Sequence, residues 1–283
     1  MQHCKEDADN EDWGKILDPE KGDLKKSKLY IKVETTEQVF TVKNKGIFLK
    51  EEPFELGIVI DEYEIHHNHK IYKDIFEGAK KGNYYYIDSS NKKHLIFTVK
   101  FNKIKSKYTS KFYGGKEVNL IDFRNYKSYN KGSIKFKFDM KANDNRPWIY
   151  QDAFASLLGA MLKVGYEDLF CTGFSKKDGS PGVSTSHKNG FNGDFRYLKK
   201  DKTSSPMSLK KEKTSNGVSG WEDLDINRQE KLINAFYNYG WKSFLSHKYG
   251  KKKLKRLNKT SHDKNHDDHL HLQGYDREFI KKK

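Results

Sequence analysis

Four of the eleven histidines fall within ten residues, 262–271, and two of them form the string His269-Leu270-His271. On a strand, side chains alternate between faces, so His269 and His271 point the same way while Leu270 and Leu272 turn toward a core. Two adjacent imidazoles can share a metal, or one can bind it while the other handles protons. A catalytic zinc usually takes three protein ligands and keeps a position for water, so further ligands must come from elsewhere. The best donor is His187-x-x-Gly190-x-x-x-Asp194, with one imidazole, one carboxylate and a glycine that permits a tight path between them. A decoy with the same spacing, His67-Asn68-His69, lies in the polar string Glu64–His69 and reads as exposed histidines.

Together, Ser186-His187-Lys188-Asn189-Gly190-x3-Asp194 and His266-Asp267-Asp268-His269-Leu270-His271 resemble the zinc peptidases that include lysostaphin-type enzymes, D-alanyl-D-alanine peptidases and the hedgehog-type fold. The HDDHxH string looks most like penicillin-insensitive murein endopeptidases, and the order of elements looks like the D-Ala-D-Ala carboxypeptidase branch. The resemblance spans roughly 145–276. It implies Zn²⁺ held by His187, Asp194 and His271, with His269 as general base or as stabiliser of the tetrahedral intermediate. His266 matches a further active-site histidine of the endopeptidase branch. Asp267 and Asp268 would be acceptors that fix an imidazole tautomer, or else solvated loop acids. The family often has Ser two residues before its first histidine, where this chain has Thr185 with Ser186 next to it. The implied activity is hydrolysis of peptide bonds in peptidoglycan, as a murein endopeptidase or a D,D-carboxypeptidase.

The elements that must position these residues are of mixed type. From Lys28 to about Met140 the chain shows short β-branched and aromatic runs, such as Leu29–Val33, Val39–Val42, Gly57–Ile60, Tyr84–Ile87 and His94–Val99, separated by turn residues. One helix is expected to interrupt them at Ile71–Ala79. After Asn145, Arg146-Pro147-Trp148 opens a helix that Gly165 closes. Leu169–Thr172 is a strand, Asp225 caps a second helix that ends at Gly240, and Trp241–Leu245 is another strand. The expected fold class is therefore α+β: an acidic disordered tail (1–27), a β-rich accessory module (28–142), and a zinc metallopeptidase domain (143–283) built on an antiparallel sheet with flanking helices.

Composition narrows the partners. The formal net charge is +16, from 55 Lys and Arg against 39 Asp and Glu, yet only six of those cations are Arg. Phosphate and base recognition favours the bidentate Arg fork, so the charge does not select nucleic acid. It equally suits an anionic cell wall, or a plain solvated surface. Residues 1–24 carry eight acids and three lysines, a net of −5, which leaves +21 for the rest. The 14% aromatic content argues against disorder of the whole chain, and no apolar run is long enough to span a membrane. Cys4, followed by Lys5, Glu6 and Asp7, resembles the start of a mature bacterial surface lipoprotein whose apolar leader has been removed. It could also pair with Cys171. The expected location is secreted or cell-envelope. The expected partner is a peptidoglycan peptide, joined by an immunity protein if the chain is an antibacterial effector rather than a housekeeping enzyme. Two alternatives stand beside this reading. One is a metal-dependent nuclease, suggested by His187-x-Asn189 and Asn265-His266; the other is a non-catalytic zinc-binding wall module.

Overall fold

The computed structural model describes residues 28–33, 36–41, 59–108, 117–140, 146–182 and 184–283. The acidic tail and Cys4 lie outside the described residues. The chain divides into two compact units, at Ile58/Val59. In the first, strands β1 (Lys28–Val33) and β2 (Thr36–Thr41) pair antiparallel, from Lys28 opposite Thr41 to Val33 opposite Thr36.

The second unit begins with β3 (Ile60–His66), β4 (Ile71–Asp74), β5 (Lys81–Ile87) and β6 (Lys93–Lys100). Period-2 patterning is clear here: Asp61, Tyr63 and Ile65 are buried while their neighbours are half-exposed. Residues 71–79 are not the expected helix. Ile71–Asp74 is a strand between β3 and β17 (Lys281–Lys282). The Asp61 carboxylate then accepts the Phe76 N–H at 2.9 Å and holds the chain in a turn. Cross-strand pairing outweighs a weak local helical pattern. The sheet order is β17-β4-β3-β5-β6.

Strand β11 (Trp148–Tyr150) joins β8 (Glu117–Asp122) and β7 (Asn102–Lys105) in a three-stranded sheet. Residues 146–150 are therefore extended rather than helical, because Ile149 pairs with Ile121 and is fully buried. Helix α1 (Gln151–Val164) starts three residues after Trp148. It ends at Gly165, which adopts φ 65° and donates its N–H to Met161 O. Every residue from Gln151 to Leu162 is buried, as expected for a helix covered on all sides. Its polar first turn is satisfied: Asp152 accepts from Tyr63 Oη at 2.8 Å and from Lys73 Nζ at 2.6 Å. At Gly159 an added Cβ would lie 2.4 Å from the Tyr239 ring, so the glycine permits close approach of α2 (Ile226–Asn238). Asp225 caps α2 by accepting the Arg228 N–H at 3.1 Å, as expected.

The site is carried by a seven-stranded sheet in the order β15 (Thr260–His262), β14 (Trp241–Ser246), β16 (His269–Tyr275), β13 (Gly193–Arg196), β12 (Leu169–Gly173), β10 (Ile134–Asp139), β9 (Ser128–Lys131). The fold is α+β, mostly sheet with two α-helices among the described residues. Residue 142, where a domain boundary is expected, lies outside the described residues. Strand β10, from the N-terminal side of that point, pairs in parallel with β12 at Phe138–Leu169. Strand β17, at the far end of the chain, completes the sheet of β3–β6. Among the described residues, no helix is long and apolar enough to cross a membrane.

Candidate metal centre

Strands β13 and β16 run antiparallel with Asp194 opposite His271 and Arg196 opposite His269. Phe195, Leu270 and Leu272, on the other face, are 0–1% exposed. The Phe195 ring meets Phe236 of α2 at 5.3 Å between centroids. Burial of these apolar neighbours fixes the strand register, which leaves Asp194, His269 and His271 together on the opposite face.

His187 arrives from a loop. It is followed by a 3₁₀ turn, Lys188–Gly190, in which Asn189 and Gly190 both adopt positive φ. A Cβ at Gly190 would come within 2.7 Å of the backbone at Trp148, Ile149 and Tyr150, so glycine is required for space as well as conformation. The loop is tied at both ends. Asn192 Nδ2 donates to Ser186 O at 2.8 Å, and Trp241 Nε1 donates to Phe191 O at 2.9 Å.

His187, Asp194 and His271 converge into one buried group that could hold a metal ion. His187 Nε2 lies 3.2 Å from His271 Nδ1 and 3.2 Å from Asp194 Oδ1, and His271 Nδ1 lies 2.7 Å from Asp194 Oδ1. Donors bound at about 2.0–2.1 Å in a tetrahedron are about 3.3 Å apart, so the three atoms suit a common small cation. The ring orientations fit as well. His187 Nδ1 is 2.8 Å from the Phe174 carbonyl, which can only accept, and 3.1 Å from Arg146 Nη1, which can only donate; the shorter contact favours the proton on Nδ1, with the Nε2 lone pair facing inward. His271 Nε2 is 3.2 Å from Ser186 Oγ, which can take that proton and leave the Nδ1 lone pair inward. In these tautomers three acceptors face one another with no proton between them, an arrangement that a cation relieves. Burial raises the Asp194 carboxyl, but whenever the His187 and His271 rings carry a proton toward it, their hydrogen bonds and charge outweigh burial and hold the group well below the usual carboxylate range, so it stays ionised.

The other expected site residues surround this group. His269 is partly exposed, with Nε2 3.7 Å from Asp194 Oδ1 and Nδ1 2.6 Å from Asp268 Oδ1. Burial lowers its pKa, but Asp268 and Asp194 outweigh that and lift it above the ordinary imidazole value. The His266 ring lies 4.8 Å from that of His269 and 5.2 Å from that of His271. His266 Nδ1 is 3.0 Å from Asp263 Oδ1 but is not aligned for a hydrogen bond. Burial makes His266 harder to protonate. The two acids separate in role. Asp268 orients His269, whereas Asp267 turns away and anchors the loop at 208–210, accepting from Ser208 Oγ at 2.6 Å and Lys210 Nζ at 2.9 Å. Asp267 therefore fixes no imidazole.

The decoy histidines join no metal-binding group among the described residues. The His69 ring instead packs edge-on against Tyr239 at 5.2 Å, and Tyr239 Oη donates to His66 O at 2.8 Å.

Three contributors are not recognisable from motif spacing. Phe174 supplies a backbone carbonyl, which carries no residue signature. Ser186, next to the position where the resembled family often has its serine, reaches His271. Arg146, read as a helix opener, donates through Nη2 to Thr172 O at 2.9 Å and places Nη1 3.6 Å from Asp194 Oδ2. Comparison of the chain with family models, with curated proteins and with solved structures gives no match.

Proposed function

We propose that the protein is a zinc-dependent hydrolase that cleaves peptide bonds of peptidoglycan. The observation that carries this reading is the convergence of His187 Nε2, Asp194 Oδ1 and His271 Nδ1 on one point, each ring held at its far nitrogen, His187 by the Phe174 carbonyl and His271 by Ser186 Oγ. Two imidazoles and a carboxylate suit zinc, and three protein ligands leave a fourth position open. When bound, zinc supplies Lewis acidity to a substrate carbonyl and acidifies a water molecule.

The chain's own residues supply the rest. Asp268 holds the His269 proton on Nδ1, which leaves Nε2 on the metal side as the proton acceptor. His269 takes a proton from the attacking water at Nε2 and returns it to the leaving amine. Arg146 sets the outer oxygen of Asp194 and keeps that carboxylate turned inward. The excess of lysine suits an anionic wall as the medium in which the enzyme works. An antibacterial effector role, with an immunity protein as partner, uses the same chemistry.

The test is incubation of purified muropeptides with the full chain, with and without a chelator, followed by mass spectrometry. Zinc-dependent cleavage is expected. Absence of cleavage of every muropeptide by the zinc-loaded protein overturns the reading.

A further inference from the structure

Seven of the twelve residues from Lys248 to Lys259, in the loop between β14 and β15, are cationic, and none is acidic. Within it, Lys251, Lys252, Lys253, Leu254, Lys255 and Arg256 are six consecutive exposed residues. Buried Tyr249 and Gly250 bracket them on one side and buried Leu257 on the other. Among the described residues, none of these five cations forms an ion pair. Glu230, an acid beside the loop, accepts the Asn258 N–H at 3.3 Å instead.

The loop is held in one shape. Tyr249 and Lys255 exchange both backbone hydrogen bonds, at 3.0 and 3.1 Å, and the Lys253 N–H donates to Gly250 O at 2.9 Å. Lys252 and Lys253 adopt φ 60° and 52°, the left-handed region that glycine enters without strain. Two lysines are therefore kept in a backbone conformation that works against folding. A turn that only connected two strands would be relieved by glycine at both positions. Leu254 is the second anomaly. It is 78% exposed among the five cations, whereas the other exposed large apolar side chains lie at 36–49%.

A lone exposed leucine is ordinary on a protein surface. One set among five cations on a fixed loop matches the two forces that hold a protein at a lipid interface, which are apolar insertion and attraction to anionic headgroups. Four of the five cations are lysine. Its hydrated point charge suits a diffuse layer of headgroups, whereas phosphates read one by one favour the arginine fork. A dissolved phosphate polymer would also attract the lysines, but it has no use for the apolar tip.

We propose that the loop at 251–256 docks the chain on an anionic lipid bilayer, with its cations at the headgroups and Leu254 inserted at the boundary of the acyl chains. The proposal does not rest on the hydrolase reading. The loop springs from β14, whose Leu245 stands opposite His271, so docking confines the metal centre to the neighbourhood of the bilayer.

The experiment is cosedimentation of the full chain with vesicles of phosphatidylcholine, or of an equimolar mixture of phosphatidylcholine and phosphatidylglycerol. Binding to the mixed vesicles alone is expected, weakening as salt screens the charges. Each cation near an anionic leaflet strengthens binding about fivefold, so combining Lys251→Gln, Lys252→Gln, Lys253→Gln and Lys255→Gln should weaken it about 10²–10³-fold. Leu254→Ser should weaken it about three- to tenfold. Lys252→Gly with Lys253→Gly removes two charges and the strain together. This pair should lose binding without a fall in melting temperature, which separates loss of docking from loss of fold. As a control, Lys127→Gln, Lys131→Gln and Lys137→Gln together remove three exposed lysines outside the loop and should change binding much less. Equal binding to both kinds of vesicle, undiminished binding by the loop variants, or as large a loss in the control overturns the proposal. So does binding of soluble polyphosphate as tight as that of the mixed vesicles and indifferent to Leu254→Ser, which would assign the loop to a dissolved polyanion.

Discussion

The Phe174 carbonyl lies 2.8 Å from Nδ1 of His187, beside Arg146 Nη1 at 3.1 Å, and this contact decides which nitrogen of that ring faces Asp194. The contact is made by backbone, so no substitution at Phe174 deletes it directly. The ring of Phe174 is nevertheless confined, since an added Cβ at Gly193 would stand 2.5 Å from it. Gly193→Ala is expected to push Phe174 aside, weaken zinc binding about 10–100-fold and destabilise the fold by about 1–3 kcal/mol. Zinc titration of the folded variant and its denaturant midpoint check the two effects separately.

The triad and its neighbour should separate by metal content. His271→Ala removes an inward donor and should lose both zinc and muropeptide cleavage. His269→Ala should retain one zinc per chain and lose about 10²–10⁴-fold in kcat, the usual contribution of a general base. Elemental analysis beside the cleavage assay reads both. Loss of zinc in His269→Ala would sink the assignment of His269 as the proton-handling partner.

Zinc should stabilise the folded chain by mass action. At a free concentration 1,000 times its Kd the gain is about 4 kcal/mol. Thermal melts with and without chelator should therefore separate for the natural chain and coincide for His187→Ala.

The two adjacent acids should behave differently. Asp268→Asn removes the charge that orients His269 and should slow cleavage about 10–100-fold with zinc retained. Asp267→Asn should leave zinc content unchanged and act on stability in acid. Burial raises the Asp267 carboxyl, but bonds from Ser208 and Lys210 outweigh it and lower the group below the ordinary value. Its contribution to stability is thus present above the unfolded carboxylate pKa near 4 and is lost as pH falls through the lower folded value. Denaturation midpoints of the natural chain and Asp267→Asn should differ at pH 6 and converge toward pH 2.

Helix α1 offers a test away from the site. Gly159→Ala would bring a methyl group into the Tyr239 ring at 2.4 Å and against Ile65 at 3.0 Å. A loss of about 1–3 kcal/mol is expected, against the gain of about 1 kcal/mol that the same change brings in an open helix. A variant more stable than the natural chain would show that α1 and α2 do not pack as described.

Much of the site was legible because its parts are local. Alternation around His269-Leu270-His271 identified the strand and its inward face, and Gly165 and Asp225 marked helix ends through their own backbone chemistry. What was not legible depends on partners distant in the chain. Ile71–Asp74 is a strand because β3 and β17 flank it, and β17 lies about 200 residues later. Arg146 and Ser186 gain their roles only when β12, β13 and β16 assemble. A change in sequence texture near residue 142 likewise does not report that β10 pairs with β12.

The pairing of Lys281 with Tyr72 and of Lys282 with Lys73 has a consequence for how the chain is made. The sheet begun by residues 60–66 acquires this strand only when residue 282 is available, so its pairing with β4 cannot form during synthesis until residue 282 has emerged. Such high contact order slows folding. Until then the outer edge of β4 presents unpaired backbone groups to any neighbouring strand. The final two strand residues, both lysines and exposed, act as a late gatekeeper that seals this edge and carries the charge that discourages others from adding to it.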